Sequence, residues 1–314
     1  MDDNARRQAA LSTMHERFPA VAEKFQQVYG LRLPRHLAVF RALWESADAA
    51  EKEAFDRLGV SPFGITDYFG ADGLRLVGRN GLDERLHGRF RCDPPEFVTV
   101  MMGGSDGLHY GLWYDDPAEL PSFIVHNYAR DSAETWTSRA PSLLAELRNL
   151  ITRAIQDYGD DGEEAQALQP LAKALDWFIP EAVQAAEIDG RPRWASAPHP
   201  SGAPSILPAL PPGSGDPCLA QSNERLAAYR KGTPEADAWI ARAERELADG
   251  RPALALAVGG ELHWLDRDAY RAASRDLLTA AYRLLGRDAL AEIVEVHTAH
   301  RDLSSTDVLT LPDR

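Results

Sequence analysis

Three apolar runs, Phe97 to Met102, Leu108 to Tyr114 and Phe123 to Tyr128, sit between segments whose apolar residues recur at helical spacing. Each run has strand length and is rich in aromatic and β-branched residues. Gly103-Gly104-Ser105-Asp106-Gly107 separates the first two and reads as a hairpin turn, because glycine tolerates positive φ. Upstream, Phe18, Val21, Ala22, Phe25, Val28 and Tyr29 mark one helix, which Gly30 to Pro34 ends. Pro34 suits the first turn of a second helix carrying Leu37, Phe40, Leu43 and Trp44. Downstream, Leu143, Leu144, Leu147, Leu150 and Ile151 share one face of a helix running from Pro141 to about Ile155. Helices around antiparallel strands make residues 1–157 an α+β domain.

A second domain is expected over residues 158–314. A helix spans about 163 to 187, with Pro180 a place for a kink. Residues 198–217 hold seven prolines and three glycines, so this stretch is extended, either as an ordered crossing or as a linker. Pro234 opens a helix to about Ala248. Ala253-Leu254-Ala255-Leu256-Ala257-Val258 alternates at period two, and Gly259-Gly260 follows. That pattern predicts a β-hairpin continuing to Leu262 and Trp264. Two further helices, about 267–285 and 288–300, break at Gly286. The C-terminal half is therefore expected to be mostly helical α+β with one hairpin.

The composition sets limits on function. Apolar residues make up 44% of the 314 and charged residues 26%, which is globular composition. The net charge of −14 repels phosphate backbones and anionic headgroups, arguing against nucleic-acid and membrane-surface partners. Two cysteines, Cys92 and Cys218, supply neither a disulfide framework nor a zinc site, and a reducing, cytoplasmic setting is expected. Low Lys with abundant Ala and Arg suggests a GC-rich bacterial source. The run Asp157 to Gly162 fails as a calcium loop, since Gly159 and Leu168 fall where oxygen ligands are required. His297 and His300 are one helical turn apart with no third ligand at metal spacing, so no metal is expected. In the 108–114 run, His109 and Trp113 alternate with Tyr110 and Tyr114, so one pair should be buried and the other exposed.

The most specific signal is Arg89-Phe90-Arg91-Cys92-Asp93-Pro94-Pro95-Glu96-Phe97-Val98-Thr99-Val100. Together with Gly107-Leu108-His109-Tyr110-Gly111-Leu112-Trp113-Tyr114-Asp115-Asp116-Pro117, it resembles the histone PARylation factor family. Tyr29-Gly30-Leu31-Arg32-Leu33-Pro34 upstream is also similar to that family. So is the run Leu284 to His297, and the resemblance spans roughly residues 25–305. The first half resembles SUKH domains more loosely; those often serve as bacterial immunity proteins. Read from the residues alone, Asp93-Pro94-Pro95 fixes how the chain enters a strand, and Asp115-Asp116-Pro117 ends one.

The resemblance implies an accessory protein that completes the active site of a partner ADP-ribosyltransferase, rather than an enzyme in its own right. It implies no cofactor. The family contributes a carboxylate that deprotonates an acceptor serine. Ungapped counting from Ala291-Glu292-Ile293 places Asp249 there. The family has a glutamate at that point, and an aspartate is one methylene shorter, withdrawing its oxygens by more than about 1 Å. A displacement of that size can cost about a hundredfold in rate. Arg251 beside it, and Arg230 in Ala228-Tyr229-Arg230, are the partner-binding candidates. Asp249-Gly250 reads equally well as the end of a helix. The alternative function is a SUKH-like module that binds and occludes a toxin without catalysis.

Overall fold

The computed structural model describes residues 2–138, 140–158, 162–193 and 206–312. Three helices open the chain: α1 (Asp3–Tyr29), α2 (His36–Ser46) and α3 (Ala49–Leu58). Two-residue strands β1 (Ser61–Pro62) and β2 (Val77–Gly78) precede β3 (Phe97–Met102), β4 (Leu108–Trp113), β5 (Phe123–Tyr128) and β6 (Thr135–Thr137). Helices α4 (Leu143–Tyr158) and α5 (Glu163–Asp189) follow. Beyond the Pro-rich segment come α6 (Ser222–Lys231), α7 (Pro234–Ala248), α8 (Ala253–Leu265), α9 (Arg271–Leu284) and α10 (Asp288–Ala299), then β7 (Leu309–Thr310).

The expected α+β class is present. An antiparallel sheet runs β1-β3-β4-β5-β6, with a bulge between Thr99 and Met101. Both of its faces are covered. Val98, Val100, Tyr110, Leu112, Tyr114 and Ile124 join the main core with α1, α2 and α4. Phe97, Trp113 and Val125 alternate to the other face and pack with Ile206 of the Pro-rich segment. The expectation that one of the His109/Trp113 and Tyr110/Tyr114 pairs is exposed is therefore overturned, because all four residues are buried. A sheet covered on both faces loses the polar half of its alternation.

The Pro-rich segment is an ordered crossing over its described part. The Ala209 amide donates to Asp115 at 2.8 Å, and the Ala253 amide donates to the Ser214 carbonyl at 2.9 Å. Residues 194–205 lie outside the described residues. So do residues 159–161 of the rejected calcium loop.

The predicted hairpin at 253–264 is instead α8, a helix buried on nearly every side between α7 and α9. Alternation of Ala and Leu carries no strand signal where every face is buried, and alanine favours helix. Gly259 is a packing residue rather than a turn. A Cβ there would stand 2.8 Å from Leu278 Cγ, so glycine lets α9 approach, and its carbonyl accepts from Ser274. Helix α5 packs on α2, α3 and α4, while β7 returns the C-terminal segment to β2 in the first half.

Candidate functional site

The motif at 89–97 builds a buried polar joint. Asp93 is 1% exposed and accepts from the Phe90 amide at 2.7 Å and from His109 Nε2 at 2.9 Å. Nδ1 of His109 faces the Gly107 carbonyl at 2.8 Å, so both ring nitrogens point at acceptors. Buried Arg89 donates to the carbonyls of Pro94 (3.0 Å) and Phe97 (2.8 Å), closing the turn that the two prolines hold open. The second half grips the same turn. His263 on α8 donates from Nε2 to the Asp93 carbonyl at 2.9 Å, and its Nδ1 accepts from Arg301 at 2.9 Å. Burial, with Arg301 beside it, holds the His263 imidazole neutral, well below its usual pKa.

Glu96 ends this joint. Its carboxyl accepts from the Tyr282 hydroxyl of α9, and burial pushes its pKa up to about 7. A second buried acid, Glu261 on α8, is held by Arg225 through two bonds of 2.8 and 2.6 Å and by Ser222 at 2.7 Å. Burial raises the pKa of Glu261 as well. Neither acid faces solvent, so both read as parts of the fold. Asp115 was expected only to end a strand. It also ties Trp113, Ser122 and Ala209 together. Sequence offers no sign of that role, because Ala209 is 94 residues away.

Asp249 is placed differently. It caps the C-terminal end of α7, followed by Gly250 at φ 81°, and its side chain is 61% exposed. Its carboxylate meets Arg251 Nη2 at 3.0 Å. A carboxylate at a helix C-terminus is disfavoured by about 0.3–1 kcal/mol, while the start of α8, four residues on, has the opposite effect. The Ser214 carbonyl anchors this turn through the Ala253 amide, and the Arg251 side chain packs against Gly215. The result is an anchored turn that carries an exposed carboxylate.

Arg230 lies in the last turn of α6 with its guanidinium over the Trp264 ring, 5.6 Å from the centroid. Trp264 is at the far end of α8 from Ala253, a helical rise of about 16 Å. The structure thus brings Asp249 and Arg251 together and places Arg230 at the opposite end of the same helix. His297 is buried with its ring 5.4 Å from that of His263. Among the described residues, no group of three or more His, Cys, Asp or Glu is arranged to hold a metal, and no helix is long and apolar enough to cross a membrane.

The family model described as histone PARylation factor 1 matches residues 20–187, from α1 through the sheet to α5. This chain belongs to the histone PARylation factor 1 family. Full-length relatives extend the similarity into the C-terminal half. Histone PARylation factor 1 of Mus musculus is 25% identical over 325 aligned residues, covering 91% of this chain and 88% of the mouse protein. The Bos taurus protein of that name is 25% identical over 80% of this chain and 82% of its own length. The Danio rerio protein is 32% identical over 34% of this chain and 31% of its own. These relatives are animal proteins and lend no support to a bacterial or cytoplasmic source. The family match ends before Arg230, Asp249 and Arg251, so Asp249 and Arg251 rest on the turn geometry and on residue counting, and Arg230 on the Ala228-Tyr229-Arg230 motif.

Proposed function

We propose that this protein is an accessory factor that docks on an ADP-ribosyltransferase and completes its active site. In this reading Asp249 takes the proton from an acceptor serine, while Arg251 and Arg230 lie in the docking surface. The observation that carries it is the exposed Asp249 carboxylate on an anchored helix–helix turn, in a chain of this family. The buried acids Glu96 and Glu261 are closed to a substrate hydroxyl. Arg251 is not a barrier. A surface pair of this kind is worth under about 1 kcal/mol, so a docking partner can draw the guanidinium aside and free the carboxylate.

A serine hydroxyl is a poor nucleophile until a base lies at hydrogen-bond distance, and a carboxylate delivered in trans meets that need. The transferase supplies the ADP-ribosyl donor and this chain supplies the base. The test is modification of a serine-containing peptide by a cognate transferase, with and without the full-length protein, reading the acceptor residue by mass spectrometry. Serine modification that appears only with the protein present supports the reading. Binding with unchanged acceptor choice would remove it and favour an occluding role.

A further inference from the structure

A cleft of about 510 Å³ opens between the β3–β4 turn and residues 300–306, at the end of α8 remote from Asp249. This volume is in the range of small-molecule sites and far exceeds the roughly 30 Å³ share of a water. The lining runs against the charge of the chain. The protein carries −14 overall, yet four arginines and two histidines line the cleft against two aspartates.

Two of those arginines leave positive charge uncompensated by a direct pair. Arg89 donates only to backbone carbonyls. The guanidinium of exposed Arg130 makes no ion pair or hydrogen bond among the described residues. The turn adds donors. The amides of residues 104–107 make no hydrogen bond among the described residues, while Asp106 and Gly107 have positive φ. Successive free amides in such a turn form an anion-binding concavity. Packing explains Gly104, which lies against Gly59, where a Cβ would stand 3.2 Å from the Gly59 Cα. It does not explain Arg130. Ser304, Ser305 and Thr306 supply hydroxyls on the opposite wall, and Leu86, Met102 and Leu303 add an apolar patch.

We infer that this cleft binds a nucleoside diphosphate, its phosphates held by Arg130 and the 104–107 amides and its base laid on the apolar patch. The inference stands on the cleft alone and does not depend on the accessory reading. Titration calorimetry on the full chain at low salt, with ADP, inorganic phosphate and adenosine as separate probes, tests it. ADP should bind saturably, at least about tenfold tighter than either fragment. Arg130→Glu should weaken ADP at least about tenfold, and Arg130→Lys should retain most of the affinity. Arg130 is exposed and unpaired, so both variants should keep the wild-type melting temperature. No saturable binding at about 1 mM ADP would overturn the assignment. So would phosphate binding as tightly as ADP, or ADP affinity indifferent to Arg130→Glu.

Discussion

Two turns of this molecule carry an aspartate, and they could hardly be more differently placed. Asp93 is 1% exposed and is engaged through both carboxylate oxygens and its own carbonyl. Asp249 is 61% exposed, with one arginine as its neighbour. The first sits in the motif that most strongly signals the family, the second outside the residues that the family model matches. The contrast teaches that the recognisable motif marks the joint holding the sheet to the C-terminal helices. In the proposed reading, chemistry toward a partner falls to the exposed turn at Asp249.

The comparison can be broken first at the joint. Asp93→Ala leaves His109 and the Phe90 amide buried without their acceptor, so it should cost about 3–5 kcal/mol in denaturant unfolding. A loss under about 1 kcal/mol would mean that the joint is not structural. Glu96→Gln sharpens the same point through pH. The Glu96 pKa is raised in the folded protein, from 4.5 to about 7. The folded state therefore holds a proton there that the unfolded chain releases earlier. This contribution is complete below about pH 4.5 and is lost as pH rises through 7, up to about 3 kcal/mol. Glutamine keeps an acceptor for Tyr282 and has no proton to lose. The stability difference between variant and wild type should therefore shift in favour of the variant between pH 4.5 and 7. Parallel curves across that range would contradict burial of an ionisable Glu96. At the exposed turn the expected effect is smallest: Asp249→Ala should change unfolding free energy by no more than about 0.5 kcal/mol.

Much of the first half was legible because its signals are local. Strands β3, β4 and β5 begin where their runs predict, and β3 and β5 also end there; the glycine turn joins β3 to β4. Helix α3, outside the helices that periodicity predicts, is announced by the capping box of Asp48 and Glu51, a signal three residues long. Helix α6 carries a quieter one, Gly232 just past its end. Helix α8 departs from its predicted hairpin for a physical reason: its alternation reflects small and large residues in an all-round core, and its glycine serves a neighbouring helix. The grip of His263 on the Asp93 carbonyl spans 170 residues, and no spacing rule reaches that far. Counting places Asp249 and the sequence marks the end of α7 at about Ala248, whereas the exposure of the Asp249 side chain comes only from the structure.

Serine modification by a cognate transferase, measured with wild-type protein, Asp249→Ala and Asp249→Glu at matched partner occupancy, tests the central claim most directly. Asp249→Ala should bind as the wild type does and lose serine modification by about a hundredfold or more. Asp249→Glu, with the longer arm, should retain or raise it. Undiminished modification by Asp249→Ala, at equal binding, would contradict the assignment of this turn as the chemical end of the molecule.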